Sequence, residues 1–247
     1  ADILSLLTPG ILPALSPLAP AQTIDLLAPD TSGLVWSGPN SVSWTTSSFI
    51  AGDTVRIEWT TGDGSYTELA KNLPYDLETF RWYTSVLPNG LYIVRISKTG
   101  SPLISDESAY FFQLSNPVVG KAYFVNDTDL SNDVYCTAVG DDANSGLSPA
   151  APKWNLQSVI DGYALGAGDT VFVDTGNWSL PDRIFLTSSD RGTSTASLNF
   201  AGSPNGTVFS GVNLPASRSI LHLYGSMYWE WAYFSAQSSP ATCIRIQ

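Results

Sequence analysis

Asp127, Asp129 and Asp133, followed by Asp141 and Asp142, make the densest carboxylate cluster in the 247-residue chain. Hard oxygen donors this close together on a loop suit calcium, so Asp127, Asp129 and Asp133 are the candidate metal ligands. The stretch lacks the glycine at the sixth position and the glutamate at the twelfth that a helix-flanked calcium loop requires. Asp and Asn also bond to their own backbone and make turns, which is the competing use of the same residues.

Nucleophilic chemistry has thinner support. His222 stands alone in ILHLYG, sharing a strand face with Ile220 and Tyr224, and no GxSxG turn is present to expose a serine. No catalytic residue is assigned, and the chain is read as leaning away from an enzyme. Trp178, Tyr228, Trp229, Trp231 and Tyr233 are the candidates for stacking on sugar rings, with Trp178, Trp229, Trp231 and Tyr233 carrying the expectation. Alternation in YWEWAYF puts Trp229, Trp231 and Tyr233 on one face. Core packing and docking to another chain compete for the same aromatics.

Composition narrows the partners. A net charge of −11 with only 11 Lys and Arg argues against nucleic acid, which needs clustered cations on its phosphates. No run of about 18 apolar residues is present, so no membrane-spanning helix is expected. Hydrophobic content of 43% argues against general disorder, and charged residues are only 13%, with many Ser, Thr, Gly and aromatics. That balance is usual in extracellular all-β proteins, and Ala1 is compatible with signal-peptide removal. Two cysteines, Cys136 and Cys243, permit one disulfide, the alternatives being free thiols or an intermolecular link.

The elements that would position these residues fall into three parts. Residues 1–29 are apolar but carry prolines at 9, 13, 17 and 20, which forbid a helix and leave an extended tail. An apolar tail is expected to lie on its own domain or on a neighbour, since solvated linkers are polar. Residues 30–116 show short alternating runs, such as Val55, Ile57, Trp59 and Tyr92, Val94, Ile96, parted by turn signals. About seven strands at such spacing predict a two-sheet sandwich. Residues 117–247 open on a strand, then a helix predicted over 155–165 with Leu156, Val159, Ile160 and Tyr163 on one stripe. Thr170 to Val173 and further short strands follow, one of them expected over 228–234.

Two stretches carry family likenesses. LPNGLYIVRI, with Tyr92 placed like a tyrosine-corner residue, resembles the immunoglobulin-like and fibronectin-type-III-like modules. AYFVNDTD and then GDDANSGLSPAAPKWNLQSVIDGYALGAGDTVFVDTGNW resemble the opening of right-handed parallel β-helix proteins of the pectate-lyase-like group. The implied fold is all-β: an N-terminal sandwich, a capping helix and about three coils. In that picture a Cys136–Cys243 bond would join the cap region to the third coil. The group includes polysaccharide lyases and epimerases, whose catalytic Lys or Arg and calcium-binding acids lie on central coils. Arg183, Arg191 and Arg218 match no such motif.

The expected function is an extracellular structural or assembly protein that self-associates or binds other surface proteins. The alternative is the N-terminal part of a polysaccharide lyase or epimerase, or a glycan-binding adhesin. No cofactor is expected beyond possible calcium.

Overall fold

In the computed structural model, which describes residues 20–247, the chain is predominantly β. The expectation of an extended tail falls mostly on residues 1–19, outside the described residues. Its last part is a strand: β1 (Thr23–Ala28) buries Ile24 and Leu26 and pairs antiparallel with β3 (Pro39–Ser47).

The remaining strands of the first part are β2 (Val35–Trp36), β4 (Thr54–Thr60), β5 (Thr67–Pro74), β6 (Thr79–Tyr83), β7 (Gly90–Lys98), β8 (Ser101–Glu107) and β9 (Phe112–Leu114). β1, β3 and β6 form one sheet; β2, β9, β7, β4 and β5 form the other, with β8 hydrogen-bonded to β7. Alternation drives the pairing of the sheets. Val42 and Trp44, Val55 and Ile57, Tyr92, Val94 and Ile96 all bury fully on inner faces. Each such side chain contributes about 1.5–3 kcal/mol of burial. The Tyr92 hydroxyl donates to the Pro88 carbonyl at 2.8 Å, tying β7 to the turn before it.

The second part begins at β10 (Ala122–Val125) and continues through α1 (Leu156–Gly162), β11 (Thr170–Val173), β12 (Gly176–Ser179) and β13 (Ile184–Leu186). β14 (Leu198–Gly202), β15 (Thr207–Ser210), β16 (Leu221–Leu223), β17 (Trp229–Ala232), β18 (Phe234–Gln237) and β19 (Ile244–Ile246) complete it. These strands form three parallel sheets, ordered β10-β11-β14-β17, β12-β15-β18 and β13-β16-β19. From β11 onward every strand pairs with the strand three places later, so the chain visits three faces and then climbs one level. Interior residues stack in columns: Val171, Phe200 and Trp231 share one register, and Ile184, Leu221 and Ile244 another.

Two expected elements differ in extent. α1 stops at Gly162 and Tyr163 is already extended, because a helix this short is held by burial of Leu156, Val159 and Ile160 alone. The strand expected over 228–234 is broken at Tyr233, whose φ of 62° turns a corner between β17 and β18.

The two parts are packed into one another. One hydrophobic cluster runs from Trp44, Phe80 and Trp82 through Tyr135 and Phe172 to Ala201. The connection at Asn116 to Gly120, expected as a linker, is held: Asn116 is buried and its Nδ2 donates to the Thr84 carbonyl. Gly120 donates to the Ser85 carbonyl, and a Cβ there would lie 2.1 Å from the Gly168 backbone. Only glycine fits that crossing.

Candidate functional site

The stack is closed differently at its two ends. At the first level, the outer edge of β10 is paired by a loop: Phe124 donates to Gly146, Lys153 to Phe124 and Asn126 to Lys153, all at 2.8–2.9 Å. The edge of β13 is paired by a side chain, since the Gln157 amide on α1 accepts from Phe185 N at 2.8 Å and donates to Phe185 O at 3.2 Å. Leu156, Val159 and Ile160 seal the interior beneath.

At the last level nothing among the described residues does this work. β17, β18 and β19 have a neighbour on one side only. Leu198 N donates to Tyr228 O, Gly211 N to Gln237 O, and Leu221 N to Cys243 O. Backbone direction alternates along a strand, so the groups left facing outward belong to Trp229 and Trp231, to Phe234 and Ala236, and to Ile244 and Ile246. Within this rung is an apolar hollow of about 260 Å³ lined by Trp229, Trp231, Phe209, Phe234, Ile220 and Ile244. Trp231 stacks on Phe200 at 4.1 Å and Phe234 on Phe209 at 5.5 Å, while Ile244 and Ile246 are more than half exposed. The Trp231 Nε1–H is buried without an acceptor among the described residues. Unpaired strand edges around an apolar opening are a template for further β-structure.

The predicted aromatic row is divided by this geometry. Trp229 and Trp231 face the hollow; Trp178 is 4% exposed, packs on Phe209 and donates its Nε1–H to the Trp154 carbonyl. Tyr233 sits at the corner and its hydroxyl accepts from Arg81 N at 3.3 Å. The positive φ at Tyr233 breaks the alternation that would have kept it with the tryptophans. Between the tryptophans, Glu230 points the opposite way and pairs with Arg81.

The three candidate metal ligands have other partners. Asp127 Oδ1 accepts from Asp129 N and Asp129 Oδ1 from Ser131 N and Oγ, as turn-making acids do. Asp133 is buried, with Oδ2 held by Asn126 Nδ2 at 2.7 Å. Burial, and then the nearby Asp174 carboxylate, raise its pKa to about 7. Among the described residues no three His, Cys, Asp or Glu side chains gather as a metal site.

The one disulfide that the composition permits is not formed in the structure. Cys136 and Cys243 are free thiols, Cys136 buried beside β10 and Cys243 exposed beside β19. Cys136 N, with Val134 N and Tyr135 N, donates to the Asp174 carboxylate at 2.5–2.9 Å, and burial pushes its thiol well up in pKa. His222 bonds through Nε2 to Gln247 and packs on Phe185. Arg183 covers Phe185, and Arg218 pairs with exposed Asp182.

Sequence reasoning missed Phe234, Ile220 and Ile244 as walls of the hollow. The period-2 alternation near the end of the chain was their signal. Comparison with protein-family models, curated proteins and solved structures found no match to this chain.

Proposed function

We propose that this chain is an immunoglobulin-like sandwich joined to a right-handed parallel β-helix, and that it is a structural, non-enzymatic protein of the cell surface or extracellular space. Subunits join through the open last rung and the apolar N-terminal tail. The observation that carries the reading is the difference between the two ends of the stack. At the first level the edge of β10 is paired by the 146–153 loop and that of β13 by Gln157, while among the described residues β17, β18 and β19 are unpaired around an apolar hollow. Solenoids require covered ends, and this supports reading the rung as a surface for contact with further β-structure. A tail and a rung on one chain are different patches, and contacts between them are head-to-tail.

Sedimentation velocity of the full chain across concentrations tests this. Growth of the sedimentation coefficient with concentration is the expected result, and fibres or short oligomers should be visible by electron microscopy. A single monomeric boundary at all concentrations would sink the reading.

A further inference from the structure

We propose that Lys98 and Gln22 join in an intramolecular amide bond, with Asp53 as the proton relay that makes it. The bond is independent of any assembly of copies.

Three side chains meet where β1, β4 and β7 come together. Lys98 is the last residue of β7 and lies opposite Val55 of β4. Asp53 closes the turn that leads into β4, its N–H donating to the Ile50 carbonyl. Gln22 immediately precedes β1, whose first residue, Thr23, pairs with Ser47. Lys98 Nζ donates to Gln22 Oε1 at 2.7 Å and lies 2.8 Å from Asp53 Oδ1. Gln22 Nε2 donates to Asp53 Oδ2 at 2.9 Å and to the Ser48 carbonyl at 3.2 Å. An amine, a carboxamide and a carboxylate are thus in mutual contact. The carboxamide has one orientation, because turning it over would set its N–H groups against the ammonium and its oxygen against two acceptors.

Each contact has a role in amide exchange. With ordinary carbonyl geometry, the Lys98 bond to Oε1 leaves Nζ on the order of 3–4 Å from Gln22 Cδ, close to the reach of a near-attack arrangement. One oxygen of Asp53 touches the attacking nitrogen and the other the leaving nitrogen, which is where a general base and a general acid are needed. The Lys98 and Asp53 side chains are 15% and 14% exposed, and the Phe49 ring lies 5.1 Å from Nζ. Proton transfer within the pair removes two charges from a poorly hydrated spot.

The step balances without a co-reactant. Asp53 takes one proton from the Lys98 ammonium, and the freed lone pair forms the Nζ–Cδ bond while the carbonyl pair moves to Oε1. Asp53 then gives a proton to Nε2 and takes a second from Nζ. The carbonyl re-forms, the Cδ–Nε2 bond breaks and ammonia leaves. Nothing is oxidised or reduced, and the chain loses one molecule of ammonia.

The product ties the sheet of β1, β3 and β6 to the sheet of β7 by a covalent bond. The segment that precedes β1 then stays attached to β7 even when β1 is pulled from β3.

Intact mass spectrometry of the full chain, followed by tryptic mapping, tests this. Folded wild type should lose the mass of one ammonia over time. The digest should contain a peptide bearing Gln22 joined to one in which cleavage after Lys98 is blocked. Wild type kept in denaturant should retain its full mass and yield no joined pair. Lys98→Arg keeps the charge without a free amine and should give no joined pair, and Asp53→Asn should form the pair about a hundredfold more slowly. Full mass in folded wild type after prolonged incubation would overturn the proposal. So would loss of ammonia mapped to succinimides at Asn89-Gly90 or Asn205-Gly206 with no joined pair. A joined pair formed equally fast in Asp53→Asn would overturn the relay.

Discussion

Arg81 on β6 and Glu230 on β17, 149 residues apart in sequence, form a two-pronged ion pair at 2.5 and 3.0 Å. The Tyr83 hydroxyl adds a third contact to Glu230 at 3.3 Å. Glu230 lies between the two tryptophans of the open rung, so the pair links β17 to the sheet of β1, β3 and β6. Both side chains are about one-third exposed, and solvent screening limits what the pair contributes. A double-mutant cycle with Arg81→Ala and Glu230→Ala is expected to give a coupling of about 1 kcal/mol in chemical denaturation. A coupling indistinguishable from zero would show that the seam does not depend on it.

Asp174 accepts three consecutive backbone N–H groups, from Val134, Tyr135 and Cys136, in a buried position. Asp174→Asn presents N–H to N–H there and should cost about 3 kcal/mol, the penalty for stranding buried donors. Equilibrium unfolding in urea measures it, and a loss below about 1 kcal/mol would contradict the role assigned to this carboxylate.

Asp133 makes the stability depend on pH. Its folded-state pKa lies near 7, above the ordinary value of 3.8, so the folded protein holds the proton more tightly than the unfolded chain does. The stability from this group is therefore full below about pH 4 and is lost as pH rises toward 7. Asp133→Asn should flatten that window and raise stability at pH 7 by on the order of 1–3 kcal/mol. Thermal melts at pH 5 and pH 7.5 compare the two proteins, and a variant with an unchanged pH slope would contradict it.

Gln157 replaces a missing strand at β13. Gln157→Ala leaves the Phe185 N–H and C=O unpaired and should cost about 1–2 kcal/mol. Hydrogen exchange at Phe185 should quicken in the variant while exchange at Val171 stays slow.

Trp231→Glu places a charge in the open rung without touching the first level. The proposed assembly should be lost in this variant while the far-ultraviolet circular dichroism of the monomer is retained, since a charge disfavours burial of the surface around it. Persisting assembly would move the contact elsewhere.

How much of this was legible in the residues follows from what each signal is. Val42 with Trp44, Val55 with Ile57, and Tyr92 with Val94 announce strands because alternation is local, and the structure places them so. The Thr170–Val173 run and its preceding helix were equally plain. Tyr228, Tyr233 and Ser238 were not, because their positive φ is imposed by the packing of neighbouring levels and a bulky residue gives no hint of it. The same corner removed Tyr233 from the aromatic row. Trp178 was read as a possible contact, yet it is interior, since a four-residue strand leaves few positions to fill the column above Phe209. The Arg81–Glu230 pair and the burial of Asp133 depend on contacts between distant segments, which spacing along the chain does not encode.

The placement of the two thiols gives the molecule a built-in pair of labels. A maleimide dye should decorate Cys243 at once and so report shielding at the rim, whereas Cys136, shut beneath the seam, should react only when the antiparallel sheets lift from the parallel ones. Counting dyes per chain over time would then read access to the rim and global opening separately, in the unaltered protein.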